Sequence, residues 1–230
     1  MSEEARTTRR VAEVGTMEDI VAIESHPYDE LVTASNLYDL FRATAQQVGD
    51  SKALTVLRSE DPLDVGASST HRELLTEVTR AANMFHSLGL TPGEGVAAFL
   101  APTLPELPPL LLGAQIAGVA SSLNYLLTSD AIFDLLNAEG APILVVPARC
   151  LDEMCWSKAE GAFEHVPTLR HVVVIGDETE GVAGYVGLAD AIGEAKETAL
   201  EFQPTEDRDA VCALFHTGGT TGRPKLVRLT

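Results

Sequence analysis

Behind Thr70 the apolar residues Leu74, Val78, Ala81, Ala82, Phe85 and Leu88 recur at helical spacing, which predicts an amphipathic helix that Gly89 ends. Thr70 as N-cap with Glu73 at the third helical position forms a capping box. A similar stripe, Leu37, Leu40, Phe41, Ala45 and Val48, follows Ser35-Asn36 and predicts an earlier helix, with a short strand from Ala53 to Leu57 between the two. Further on the pattern changes. Val96 to Leu100, Val119 to Leu123, Ile143 to Val146 and Val172 to Ile175 are nearly continuous apolar runs that read as buried strands, and helices are expected near 105–117, 130–139 and 151–163. Such alternation predicts the α/β class, with a mostly parallel sheet covered by helices on both faces.

Candidate chemistry concentrates near the C-terminus, in Phe215-His216-Thr217-Gly218-Gly219-Thr220-Thr221-Gly222-Arg223-Pro224-Lys225. Glycines turn backbone N–H groups toward an anion where a Cβ would hinder them; Thr217, Thr220 and Thr221 add hydroxyl donors and Lys225 a point charge. A Walker P-loop is excluded: Arg223-Pro224 separates Gly222 from Lys225, and Leu226 stands where a Ser or Thr would hold magnesium. Ala210 to Phe215 before the segment and Leu226 to Leu229 after it both suit strands, so the expected geometry is a glycine-rich loop inside a hairpin.

These residues resemble the phosphate-binding loop of the adenylate-forming (AMP-binding) superfamily, Thr-Ser-Gly-Thr-Thr-Gly-x-Pro-Lys-Gly. Thr217, Gly219, Thr220, Thr221, Gly222, Pro224 and Lys225 match it position by position, while Gly218 replaces the usual Ser and Leu226 the usual Gly. The Thr70 helix, the strand at Val96, Pro105-Glu106 and the run from Gly113-Ala114 to Ala117-Gly118 are similar to the same superfamily's N-terminal block, with Glu94 for the usual Asp and Thr103 for the frequent Asn.

The resemblance implies an N-terminal extension over 1–35 and, over 36–230, a partial AMP-binding domain ending just after the loop. It also implies the N-terminal part of an acyl-CoA synthetase, which activates a carboxylic, by expectation fatty, acid with ATP and Mg2+ to an acyl-adenylate and passes the acyl group to coenzyme A. Thr217, Gly218, Gly219, Thr220, Thr221 and Gly222 would cradle the β- and γ-phosphates, and Lys225 would offset charge on departing pyrophosphate. His216, directly before the loop, is a candidate contact to nucleotide or acyl substrate. The family's adenine-binding segment, magnesium-binding Glu, ribose-binding Asp and C-terminal adenylation Lys belong downstream of this loop, so residues 1–230 alone are expected not to turn over. A non-catalytic remnant, or a nucleotide-binding or interaction module, stays open as the alternative.

Composition adjusts this picture at a few points. With 16 basic against 34 acidic residues the formal charge is −18, which disfavours nucleic acid or an anionic membrane as partner. An acidic chain binding ATP needs magnesium and local donors such as Lys225. Part of the negative charge sits in Gly176 to Ala210, expected as a solvated loop or exposed helix. The uncharged stretch from Leu107 to Ser129 carries Pro108, Pro109, Gln115 and Asn124, and divides at Gly118 into a buried helix and strand rather than a membrane span. No apolar stretch follows Arg9-Arg10 before Glu13, so a twin-arginine signal is not indicated and the cytoplasm is the expected compartment. Cys150, Cys155 and Cys212 form no CxxC pair and are expected as buried reduced thiols; the dispersed histidines predict no metal site.

Overall fold

The computed structural model describes residues 14–27, 30, 32–176, 179, 181–217 and 225–230. Helix α1 (Met17–Glu24) comes first and has no buried residue. Helix α2 (Leu37–Val48) is capped by Asn36, whose side chain accepts the Asp39 N–H at 2.9 Å. Strands β1 (Lys52–Leu57) and β2 (Val65–Thr70) pair antiparallel as a separate small sheet. β2 was not expected, because Val65-Gly66-Ala67-Ser68-Ser69-Thr70 is largely exposed and has no apolar alternation to announce a strand. It leads directly into helix α3 (His71–Ser87), where the capping box is present: Thr70 N–H donates to Glu73 Oε2 at 2.8 Å and Glu73 N–H to Thr70 Oγ1 at 3.3 Å. The bond from the Thr70 backbone, followed by that from its hydroxyl, holds the Glu73 carboxyl below its ordinary range. Gly89 then takes φ +98°, and the helix ends there.

The main sheet contains β3 (Val96–Phe99), β4 (Val119–Ser122), β5 (Ile143–Pro147), β6 (His171–Ile175), β7 (Tyr185–Gly187), β8 (Ala213–Thr217) and β9 (Lys225–Leu229). Their order is β7-β6-β5-β3-β4-β8-β9, and every pair is parallel except β8 with β9. Side chains alternate across the faces. Val96 and Ala98 join Leu144, Val146, Val172, Val174 and Leu214 beneath α5 (Ser129–Glu139), α6 (Glu153–Ala159) and α7 (Ala162–His165). Ala97 and Phe99 join Ile143, Val145, Val173 and Ile175 beneath α3, α4 (Leu107–Ala117) and α8 (Leu188–Gly193). α2 adds an outer layer, with Tyr38 packed against Leu74, Val78 and Ile116. The expected class, α/β with a mostly parallel sheet covered on both faces, is therefore present.

Chain connections at the sheet centre diverge. β3 leads through α4 to β4 on one side, whereas β5 leads through α6 and α7 to β6 on the other. Their carboxyl ends consequently open toward opposite faces, the arrangement in which α/β sheets form ligand crevices. α3 and α4 pack unusually close at Gly113, where a Cβ would lie 2.5 Å from Ala81 Cβ.

Three expectations change. The helix expected over 151–163 is two helices, since Gly161 adopts φ +80° between α6 and α7. The acidic stretch 176–210 is not only a solvated loop: it contributes β7 to the sheet and Leu188 of α8 to the core. Buried Asn83 also ties its 196–201 portion down, donating to Lys196 O and Ala199 O at 2.9 Å and accepting the Glu201 N–H at 2.8 Å. Finally, Cys155 is buried, with burial as the main cause pushing its thiol up to about 12, but Cys212 is half-buried and Cys150 exposed. Those latter two positions lie at a strand-entry loop and a turn rather than under a helix.

Candidate active site

β8 carries the chain from the sheet interior out to its carboxyl edge. Ala213 and Leu214 are buried, while Phe215 and Thr217 are exposed. The strand thus begins and ends two to three residues later than the apolar run Ala210 to Phe215 suggested, because partnering with β4 starts only at Ala213. β9 returns antiparallel with Thr217 opposite Lys225, His216 opposite Leu226 and Phe215 opposite Val227. The expected hairpin is there, and β9 is the edge strand of the sheet. Gly218, Gly219, Thr220, Thr221, Gly222, Arg223 and Pro224 lie outside the described residues; they connect the end of β8 to the start of β9.

The pleat sorts the base of this loop into two faces. Thr217 and Lys225, both exposed, share a face with Phe215 and Val227, the side of the sheet where Ala120 packs beneath α4. His216 and Leu226 share the opposite face, and Leu226 packs against the core cluster beneath α5 and α6. This places one departure from the family pattern. The leucine after the lysine points away from Lys225 and packs beside the β8 core.

The carboxyl ends of β4 and β8 lie side by side. In the turn between β4 and α5, the Asn124 backbone N–H donates to His216 Nε2 at 2.9 Å, and Leu126 N–H donates to Asn124 Oδ1 at 2.9 Å. From α6, Lys158 Nζ donates to the Tyr125 carbonyl, so the same turn is held from both flanks. In the sequence Tyr125 and Lys158 carry no assigned role, and Asn124 only that of a polar residue in the 107–129 stretch. The one available hint is that polar Asn124 interrupts the apolar run directly after Leu123.

Just behind the turn, Ser121 Oγ donates to Glu139 Oε1 at 2.7 Å, while Glu139 Oε2 is buried and has no hydrogen-bond partner among the described residues. Burial pushes the Glu139 carboxyl up to about 7, against the lowering effect of the Ser121 hydroxyl. At the carboxyl end of β6, a cleft of about 620 Å³ lies between α3, α4 and α8, with Glu77 and Glu106 among its lining residues. Desolvation first, and then the neighbouring Glu73 charge, raises the Glu77 carboxyl above its ordinary range. Among the described residues no cluster of three or more His, Cys, Asp or Glu side chains could hold a metal ion. Among them, too, no helix is long and apolar enough to cross a membrane.

The fold class is a doubly wound α/β sheet whose last two strands form an antiparallel hairpin. More narrowly, the chain belongs to the AMP-binding enzyme family, whose sequence profile matches residues 41–230. It is 30% identical over 225 residues to the marinolic acid–CoA ligase of Pseudoalteromonas sp. (strain SANK 73390), covering 94% of this chain and 33% of that protein. Identity to the acetyl-coenzyme A synthetase of Rubrobacter xylanophilus is 28% over 187 residues, 77% of this chain and 28% of the relative. The fold superimposes on a long-chain-fatty-acid-CoA ligase from Archaeoglobus fulgidus with a TM-score of 0.69 at 22% identity, over 84% of this chain and 36% of that one. The chain therefore spans about a third of the length of the curated relatives it matches.

Proposed function

We propose that the chain forms the N-terminal part of an acid–thiol ligase, with 36–230 as a portion of its AMP-binding domain and 1–35 as an extension. MgATP and a carboxylate are the first substrates. A carboxylate oxygen attacks the α-phosphorus, the bond to the β-phosphate oxygen breaks, and acyl-adenylate and pyrophosphate result; the thiol of coenzyme A then attacks the acyl carbonyl and AMP departs. Thr217, Gly218, Gly219, Thr220, Thr221 and Gly222 hold the β- and γ-phosphates through N–H and hydroxyl donors. Lys225 offsets the charge that grows on pyrophosphate, an electrostatic and positioning role. His216 contacts substrate. Magnesium enters as the counter-ion of the nucleotide, an arrangement suited to a chain of formal charge −18. A fatty acid is the proposed acid class, since the named relatives act on carboxylic acids from acetate to long chains, and the cytoplasm is the proposed compartment.

The observation that carries this reading is the Thr217–Lys225 register pair at the mouth of the β8–β9 hairpin, in a chain that belongs to the AMP-binding family. Its test is exchange of labelled pyrophosphate into ATP in the presence of acetate, octanoate or benzoate, followed by acyl-CoA formation once coenzyme A is added. Carboxylate-dependent exchange is the expected result in the full-length protein. ATP binding with no exchange for any acid would favour a nucleotide-binding module without chemistry.

A further inference from the structure

The hydrogen bond between Asn124 and His216 has only one possible polarity. A backbone N–H can only donate, so His216 Nε2 must accept and cannot carry a proton. The ring is then neutral with its hydrogen on Nδ1, and Nδ1 becomes an obligatory donor. Among the described residues no acceptor is present for it. Side chains of this kind, fixed by one ring nitrogen and free at the other, are suited to present a donor of defined direction to a ligand.

His216 also occupies a particular place. It is half-buried, it immediately precedes Thr217 and the glycine-threonine loop, and it projects on the face opposite Thr217 and Lys225. Leu226 stands across from it in the ladder and packs into the core, so the imidazole is flanked by an apolar neighbour on one side and the Asn124 turn on another. Lys158 braces that turn from α6, which keeps the amide that sets the tautomer in place.

Resting on the ligase reading above, we propose that His216 is a substrate-binding residue that donates a hydrogen bond from Nδ1 to an anionic oxygen of the bound ligand, with Asn124 as the residue that fixes its tautomer. The oxygen belongs either to the polyphosphate or to the carboxylate substrate. Both are anionic acceptors that a neutral imidazole N–H recognises.

Two substitutions separate the two ring nitrogens. His216→Gln places an amide at the ε position, which can still accept from Asn124 but offers no donor at the δ position. His216→Asn places its amide at the δ position and loses the reach to Asn124. In full-length protein, wild-type imidazole nitrogen resonances should show Nε2 unprotonated, and the Nδ1 resonance should move on addition of inorganic pyrophosphate or of octanoate; whichever probe moves it identifies the acceptor. H216Q should keep wild-type exchange protection at the Asn124 N–H yet bind that probe about tenfold more weakly. H216N, which loses the reach to Asn124, should show faster exchange at the Asn124 N–H. A proton found on Nε2, or H216Q binding both probes as tightly as wild type, overturns the proposal while leaving the ligase reading intact. Wild-type protein that binds MgATP but leaves Nδ1 unmoved by either probe does the same. Wild-type protein that binds neither ATP nor pyrophosphate would remove the ligase reading, and this inference with it.

Discussion

Thr217 and Lys225 are register partners across the β8–β9 ladder, so the first threonine and the lysine of the glycine-threonine segment stand on the same face of neighbouring strands although eight positions separate them in the chain. A hydroxyl donor and a cation are thereby held side by side at the loop's base by sheet hydrogen bonding, not by the loop itself. Lys225→Ala should weaken MgATP binding by about tenfold or more, because the lysine is one cation in a strongly acidic chain. Lys225→Arg should recover part of the loss, since charge is retained but the guanidinium's fork replaces a point charge. Titration calorimetry with MgATP checks both, and unchanged affinity in the alanine variant would count against the phosphate-binding role.

Glu139 should make the protein less stable as the solution turns neutral. Its carboxyl is raised by burial from an ordinary 4.5 to about 7 in the folded state. The folded protein therefore binds this proton more tightly than the unfolded chain. The associated stability is fully present below the unfolded pKa and is lost as the pH rises through the folded one, with no further change above. The loss is on the order of 2–3 kcal/mol. Urea unfolding at pH 5 and pH 8 should show this decline in the wild type, and Glu139→Gln should be flatter between the two. Identical pH dependence in wild type and variant would rule out Glu139 as its source.

Asn83 spends its side-chain amide on three backbone groups between Lys196 and Glu201, and is itself 2% exposed. Asn83→Ala should cost about 3 kcal/mol, because it leaves buried or half-buried donors and acceptors without partners instead of removing both sides of each bond. Hydrogen exchange should localise the effect to 196–202, where Phe202 also loses its stacked position against His86, now 4.4 Å between ring centroids.

Gly113→Ala sets two effects against each other. Alanine gains about 1 kcal/mol of helix propensity in the interior of α4. The new Cβ would lie 2.5 Å from Ala81 Cβ and 2.7 Å from the Ala82 backbone nitrogen, so α3 or α4 must move. Overpacking of this kind costs about 1–3 kcal/mol, and contact with backbone puts it toward the upper end. A net destabilisation of about 1–2 kcal/mol is expected in urea unfolding. A stabilised variant would mean that the helices separate at little cost.

The sequence by itself determined the elements whose chemistry is local. The Thr70 capping box, the apolar stripe from Leu74 to Leu88 and the runs of Val, Ile and Leu in β5 and β6 are properties of short segments, and they appear in the structure as the pattern predicted. The hairpin around the glycine-threonine loop was legible for the same reason, from two apolar runs flanking residues able to turn. What depended on contacts between distant segments was not legible. β2 is a strand because β1 pairs with it, not because its own residues favour one. Half of the acidic stretch between 176 and 210 is held by Arg80, Asn83 and the edge of β6, over separations of more than a hundred residues in the case of the two α3 side chains. Asn124 became part of the candidate site only because β8 inserts beside β4, bringing His216 to an amide 92 positions away. Local propensity and periodicity are carried by neighbouring residues and can be read in order; which strand end meets which is decided by the packing of the sheet, and that choice gave the histidine its tautomer.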